Sequence, residues 1–152
     1  MQRGAGMQPQ TQQPTFEGWQ RLVGTWATEA KHVALPETVS GQTTFEWLED
    51  QQFLIQRSRY DHPDLPDAIT VTGIVDGKST MHYFDPRGVH REFAVEITGD
   101  TWRFWNDAPG FSQRFTGAFR DDDTIINGAV ELSRDDGATW AHDLAITYRR
   151  LG

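Results

Sequence analysis

The chain has 152 residues, of which 37% are hydrophobic and 12% aromatic, and its formal net charge at pH 7 is −8. The length is that of one domain with its own core. The acidic balance disfavours general binding to nucleic acids or anionic membranes, because their phosphates would repel the chain. The absence of cysteine excludes disulfides, a thiolate nucleophile and cysteine-ligated zinc.

The N-terminal segment is rich in Gln, Gly and Pro, and it lacks the apolar stretch of a secretory signal. We therefore expect a disordered tail over residues 1–14 and a single domain over residues 15–152. No apolar run approaches the ~20 residues of a membrane-spanning helix. These features favour a cytoplasmic protein with no membrane partner.

A short helix is predicted at the start of the domain, because Phe16, Trp19 and Leu22 lie at helical spacing. After Trp26 the helical period disappears, and short alternating runs follow between turn signals such as Asp76-Gly77. The strand-like runs are TTFEWLE, FLIQRSRY, AITVTGIV, STMHYFD, VHREFAVEI, TWRFWND, FSQRFTGAF, TIINGAVELS and TWAHDLAITYRR.

These runs predict an all-β fold, an antiparallel up-and-down β-barrel of about ten strands with one short N-terminal helix. A sheet of that many strands closes on itself, which removes its exposed edges. A barrel of this size can hold a small ligand in its interior. A β-sandwich is the alternative architecture that the same pattern allows.

The segment MHYFDPRGVHREF, residues 81–93, is the densest group of polar side chains. Alternation along the second strand of this hairpin places Arg91 on the face of Phe93, which is predicted to be the inner one, and His90 on the outer face. Tyr83 is also predicted to lie inside. A charged side chain such as that of Arg91 must be paired or solvated in the interior.

The last strand also places a polar side chain on its apolar face. His142 alternates with Leu144, Ile146 and Tyr148, so the pattern predicts that His142 points into the barrel. A single histidine on such a face is more often a hydrogen-bonded core residue than a ligand. Close metal-ligand spacing is absent among the five histidines, so no metal site is predicted.

Two further polar residues alternate with apolar ones. Gln113 shares a face with Phe115, and Arg57 alternates with Phe53 and Ile55, although the other face of that strand is nearly as apolar. Apolar walls with a few polar groups are typical of small-molecule pockets, while polar groups arranged around buried water are the alternative. The candidate ligand-binding residues are Arg57, Tyr83, Arg91, Trp102, Phe104, Gln113, Phe115, His142 and Tyr148.

The stretch FEGWQRLVGTW followed by a β-meander resembles the lipocalin and fatty-acid-binding (calycin) superfamily. In that superfamily a helical turn leads into a G-x-W motif, which here is Gly24-Thr25-Trp26. The resemblance covers about residues 15–150. It implies that a basic residue late in the last strand, Arg149 or Arg150, covers the tryptophan.

Within this superfamily the chain is most similar to bacterial ten-stranded barrels of the fatty-acid-binding-like and nitrobindin-like kinds. The nitrobindin resemblance implies ferric haem bound by His142, with a one-residue offset that would turn the side chain to the other face. The sequence GTWATEA lacks the glycine-rich continuation of nitrobindins. The ending TYRR differs from the Arg-x-Tyr pattern of fatty-acid-binding proteins.

The segment SRDDGATW, residues 133–140, resembles the Asp-box of sialidase propellers, in which the motif is a structural hairpin. One copy in a chain of this length cannot build a propeller. We expect a stable turn in which Asp135 accepts hydrogen bonds from the loop, Gly137 has positive φ and Trp140 packs beneath.

Three functions are compatible with this sequence. The first is a barrel that binds a small hydrophobic or amphipathic molecule, with Arg91 and Arg57 meeting an anionic or carbonyl group. The second is a haem protein with His142 as axial ligand. The third is a cofactorless cyclase or isomerase, in which His142 or Tyr83 is the general acid or base and Arg91 stabilises an oxyanion. The oligomeric state is open, and a homodimer is compatible with the sequence.

Overall fold

A five-residue 3₁₀ turn, Gly18–Leu22, precedes ten β-strands in the part of the chain that the computed structural model describes, residues 18–49 and 51–152. The strands are β1 (Gly24–His32), β2 (Val39–Leu48), β3 (Phe53–Tyr60), β4 (Ala68–Val75), β5 (Lys78–Asp85), β6 (Val89–Thr98), β7 (Thr101–Asn106), β8 (Ser112–Arg120), β9 (Ile125–Ser133) and β10 (Ala141–Leu151). The predicted tail over residues 1–14 lies outside the described residues.

The ten strands form a closed antiparallel barrel. Each strand pairs with its neighbour in the sequence, and β10 pairs with β1 through contacts such as Arg150 opposite Trp26. The predicted up-and-down barrel is therefore confirmed, and the β-sandwich is excluded. Among the described residues, no helix is long and apolar enough to cross a membrane.

The predicted N-terminal helix is a 3₁₀ turn in its described part. Trp19 and Leu22 are both buried, as the apolar spacing requires, but β1 begins as early as Gly24. Gly18 lies against the barrel wall, where an added Cβ would be 2.9 Å from Ile97 Cγ2. Between Gly18 and Gly24, the described part of the chain therefore forms one tight turn that covers the end of the barrel.

The turn closes one end of the barrel around Trp26, which is fully buried. The indole Nε1 of Trp26 donates to the carbonyl of Leu22 at 2.9 Å, and the guanidinium of Arg150 lies 4.2 Å from the indole ring. Arg150 also donates to the carbonyls of Val23 and Arg21. Of the two basic residues that the calycin resemblance offered, Arg150 is thus the one that covers the tryptophan.

Two glycines of neighbouring strands, Gly117 on β8 and Gly128 on β9, leave space for the ring of Phe115 inside the barrel. A Cβ added at Gly128 would lie 2.6 Å from Phe115 Cε1 and 3.2 Å from Ile146 Cγ2. The close approach of an aromatic ring, rather than a special backbone conformation, therefore explains the glycine at position 128.

Gly128→Ala is expected to lower the free energy of unfolding by about 1–3 kcal/mol, because the added methyl group overpacks the contact with Phe115. Urea unfolding at pH 7 measures this change. Asn127→Ala, on the exposed face of the same strand, is the control and should change the stability by no more than about 0.5 kcal/mol. Equal stability of Gly128→Ala and the wild type would contradict the packing described here.

Candidate functional site

The end of the barrel opposite the 3₁₀ turn opens into a cavity of about 450 Å³. Its wall consists of inward-facing residues from strand segments at this end, and its rim includes residues of the loops 61–67 and 107–111. Leu65 of the first loop packs against the apolar core. The volume lies within the range of small-molecule pockets, ~300–1,000 Å³.

Aromatic rings line one side of this cavity. Phe104 and Phe115 are stacked, with their ring centroids 4.6 Å apart and an angle of 12° between the ring planes. Phe93 meets Phe104 edge-on at 5.2 Å, and Trp102 packs against Phe115 at 4.7 Å. The rings of Phe93, Phe104 and Phe115 line the cavity and form an apolar wall, called the aromatic wall below.

All three tyrosines of the chain, Tyr60, Tyr83 and Tyr148, line the cavity. Burial raises the pKa of Tyr60 to about 12 and also raises the pKa of Tyr148. Burial, together with a hydrogen bond to Asp85, raises the pKa of Tyr83. At neutral pH the three phenols are therefore uncharged and can act as hydrogen-bond donors.

A buried carboxylate, Asp85, organises one side of the mouth. Its side chain is 0% exposed, and it accepts hydrogen bonds from Tyr83 Oη at 2.8 Å, from the backbone N–H of Arg87 at 2.9 Å and from Arg87 Nη2 at 2.6 Å. The Arg87 guanidinium holds the pKa of Asp85 well below its usual range. The carboxylate is therefore charged, and it fixes both Tyr83 and Arg87 at the cavity.

Two other arginines at the mouth, Arg91 and Arg134, lie near one aromatic ring. Their guanidinium carbons are 5.3 Å and 6.0 Å from the ring centroid of Phe111. Among the described residues, neither has a carboxylate within ion-pair distance. By contrast, the neighbouring Arg114 pairs with Glu131 at 2.8 Å.

The cavity is also lined by two carboxylates. They are Asp64, in the 61–67 loop, and Asp143, which lies 3.2 Å from the imidazole Nε2 of His32. The mouth therefore contains both positively and negatively charged side chains. Among the described residues, Arg91 and Arg134 are its arginines that form no ion pair with a carboxylate.

The Asp-box segment is a turn, as predicted, and it helps to build the mouth. Asp135 accepts hydrogen bonds from the backbone N–H of Thr139 at 2.8 Å and from Ser133 Oγ at 2.8 Å, and the bonds from Thr139 and Ser133 lower its pKa to about 2. Asp136 Oδ1 accepts a bond from the backbone N–H of Gly110 at 2.8 Å. This bond fixes the 107–111 loop beside the turn, and Phe111 of that loop thereby lies near Arg134.

No protein-family model and no curated protein matches the chain. Among solved structures, the S-type phycobiliprotein lyase CPES from Guillardia theta is similar with a TM-score of 0.51 and 11% identity, over 88% of this chain and 90% of that chain. A second similar structure, EF1p2_mFAP2b bound to DFHBI, has a TM-score of 0.45 and 18% identity, over 88% of this chain and 97% of that chain. A third, the redesigned β-barrel mFAP1 bound to DFHBI, has a TM-score of 0.45 and 17% identity, over 88% of this chain and 98% of that chain. The likeness to the lyase supports the barrel fold.

Most of the residues predicted from the sequence to bind a ligand lie together at the cavity. The predicted residues that line it are Tyr83, Arg91, Phe104, Gln113, Phe115 and Tyr148. Trp102 is buried, 2% exposed, and its ring packs against those of Phe104 and Phe115. The strand alternation therefore places these side chains correctly, and their contact with a ligand stays a prediction.

The prediction that His142 points into the barrel is wrong, because β10 contains a β-bulge. Val130 lies opposite Leu144 and Glu131 opposite His142, so the register shifts and Asp143 is the extra residue. The bulge turns His142 to the exposed outer face, while Asp143 reaches the rim of the cavity. Alternation counted back from Ile146 through a bulge gives the wrong face.

Arg57 also lies on the outer face of the barrel, which corrects the prediction that it points inward. Its guanidinium forms an ion pair with Glu46, and the two side chains are 49% and 58% exposed. Gln56 and Ser58 take the inner positions of this strand. Because Phe53 and Ile55 are apolar residues on the outer face, hydrophobicity alone gave the wrong orientation.

The described residues do not fit a haem held in the cavity by His142, because that imidazole faces away from the interior.

The acid–base role suggested for Tyr83 is also disfavoured by its surroundings. The hydroxyl of Tyr83 donates to Asp85 and its pKa is raised, whereas a general acid or base works best with a pKa near the operating pH. The geometry favours hydrogen bonding over proton transfer.

Sequence reasoning missed several residues of the mouth, including Arg87, Arg134, Phe111 and Tyr60. A topological signal could have found the first three. In an up-and-down barrel the connections that follow odd-numbered strands all meet at one end. Arg87, Phe111 and Arg134 lie in three such connections, so the order of the strands predicts their proximity.

Proposed function

We propose that the barrel binds a small amphipathic molecule with an anionic group. The anion lies at Arg91 and Arg134 at the mouth, and the apolar part of the ligand packs on the aromatic wall. The observation that carries the proposal is the pair of arginines without carboxylate partners, both near Phe111, at the mouth of a cavity of about 450 Å³. The fold and the contact of Arg150 with Trp26 support a place in the calycin superfamily.

The chemistry of arginine supports an anionic partner. A guanidinium presents a planar set of donors that matches a carboxylate or phosphate, and it stacks on aromatic rings while doing so. Arg87 is held by Asp85, and its side chain is still 59% exposed, so it has donors left for a ligand. An anion at the mouth would thus meet cations that the fold has already positioned.

The composition of the wall supports an apolar body for the ligand. Phe104 and Phe115 offer a continuous ring surface, and Phe93 extends it. Burial of apolar surface contributes about 25 cal/mol per Å², which favours a ligand that reaches from the arginines to these rings. An anion without an apolar part would leave most of the cavity unused.

Isothermal titration calorimetry with decanoate and decylammonium tests this function, since the two probes share a chain and differ in the sign of the head group. Decanoate is expected to bind more tightly than decylammonium. The double variant Arg91→Gln/Arg134→Gln should weaken decanoate binding by about tenfold or more, because bonds to charged groups are worth about 1.5–3 kcal/mol.

The matched control is Arg57→Gln, which neutralises an arginine on the outer face, and it should bind decanoate as the wild type does. Equal binding of the two probes, or an unchanged affinity of the double variant for decanoate, would rule out the proposed anion site. A loss of binding in Arg57→Gln would place the site on the outer surface instead.

A further inference from the structure

Three buried side-chain atoms in the described part of the chain have no hydrogen-bond partner: Thr28 Oγ1, Trp102 Nε1 and Gln113 Oε1. Of these three residues, Gln113 lines the cavity. Its backbone is fixed, because its N–H donates to Asn106 Oδ1 at 3.1 Å. The main chain thus positions at the cavity a residue whose buried acceptor has no donor among the described residues.

The other glutamine of the cavity has partners. Gln56 Oε1 accepts a bond from Thr70 Oγ1 at 2.9 Å, and Gln56 Nε2 donates to Ser58 Oγ at 3.2 Å. Ser58 in turn bonds to Thr43 at 2.9 Å. Gln56 and its neighbours thus satisfy one another, whereas Gln113 brings to the cavity an acceptor that has no donor among the described residues.

The neighbourhood of Gln113 is flat and aromatic. Gln113 and Phe115 lie on the same face of β8, and Phe115 is stacked on Phe104 with an angle of 12° between the rings. Phe111, near Arg91 and Arg134, is two residues away along the chain. Along the chain, Gln113 therefore lies between Phe111 at the mouth and Phe115 of the aromatic wall, and all three line the cavity. Flat rings pack well on such a wall.

We infer that the ligand carries a flat ring with an N–H or O–H group that donates a hydrogen bond to Gln113 Oε1. The inference rests on the proposed function, since the anionic group of the same ligand lies at Arg91 and Arg134. A buried acceptor that stays unpaired is unfavourable, and a ligand donor removes that penalty. The site thus selects a planar anion with a ring donor over an unsubstituted alkyl carboxylate.

Calorimetry with indole-3-butyrate and 1-methylindole-3-butyrate tests this inference, because both are flat carboxylates and methylation removes the ring N–H. The wild type is expected to bind the N–H compound about tenfold more tightly. Gln113→Met keeps the length of the side chain and removes the acceptor, so the preference should disappear. Gln42→Met, on the exposed outer face of β2, is the control and should keep it.

Equal affinity of the wild type for the two indoles would overturn the inference. A preference that persists in Gln113→Met would also overturn it, because a steric effect of the methyl group would then explain the difference. If decanoate binds and neither indole does, the flat ligand is excluded while the proposed function stands. If decanoate also fails to bind, the proposed function itself is excluded.

Discussion

Trp26→Ala is expected to lower the free energy of unfolding by about 3–5 kcal/mol, the range found for large aromatic residues removed from a core. Trp26 is 0% exposed, and its ring contacts Tyr148 on β10 edge-on at 6.4 Å. Since folded domains are stable by only about 5–15 kcal/mol, this loss is a large fraction of the total stability. Urea unfolding followed by far-UV circular dichroism at pH 7 measures the loss.

Part of the stability lost in Trp26→Ala comes from the contact between Arg150 and the indole. Without the indole beneath it, the guanidinium loses its cation–π contact at 4.2 Å, although its bonds to the carbonyls of Val23 and Arg21 can remain. Trp105→Ala is the control, because Trp105 lies partly exposed on β7. If both variants lost equal stability, the packing around Trp26 would contribute no more to the stability of the barrel than a partly exposed tryptophan does.

The closed end was predictable from sequence because its signals are local. Trp19 and Leu22 are three residues apart, as on one face of a helical turn, and the Gly24-Thr25-Trp26 motif marks the start of β1. The calycin resemblance narrowed the basic residue that covers Trp26 to Arg149 or Arg150. The pairing of β10 with β1 places Arg150 directly opposite Trp26. A short motif and the antiparallel closure of the barrel together carry this information.

The open end was predictable only in part, because its site depends on register and on loops. Arg91 and Gln113 were placed correctly, since clean alternation surrounds both of them. His142 was misplaced by a bulge, and Arg57 by a strand with apolar residues on both faces. A bulge depends on pairing with the neighbouring strand, so the sequence of β10 alone does not reveal it.

Asp85 shows how a residue within a nominated segment can have a role that the pattern does not reveal. Alternation groups Asp85 with Tyr83 and Met81, but no periodicity indicates that Tyr83 and Arg87 both bond to its carboxylate. This arrangement depends on the turn after β5, where the N–H of Gly88 donates to the carbonyl of Asp85 at 3.0 Å. The turn brings the arginine back over its own strand.

Asp85→Ala is expected to lower the free energy of unfolding at pH 7 by about 1–3 kcal/mol, because it leaves the hydroxyl of Tyr83 without its acceptor. Arg87 contributes less to this cost, since its side chain is 59% exposed and water can replace the carboxylate. Asp107→Ala, at an exposed position near the mouth, is the control and should change stability by no more than about 0.5 kcal/mol.

The contribution of Asp85 should also depend on pH, and Asp85→Asn isolates that dependence because it keeps the shape of the side chain. The pKa of Asp85 in the folded protein lies below its ordinary value of 3.8, so the unfolded chain takes up the proton first as the pH falls. The stability that the charged group contributes is therefore complete above that value and is lost as the pH falls below it, through the lowered pKa of the folded state.

Urea unfolding of the wild type and Asp85→Asn at a series of pH values from 7 down to 2.5 measures this effect. The difference in stability between the two proteins should be constant near neutral pH and should shrink below pH 3.8, the ordinary pKa of the group. Other carboxylates titrate in both proteins, so their effect cancels in the difference. A difference that stays constant down to the lowest pH would show that Asp85 holds Tyr83 and Arg87 without its charge. The mouth would then depend on the shape of the side chain rather than on the ion pair.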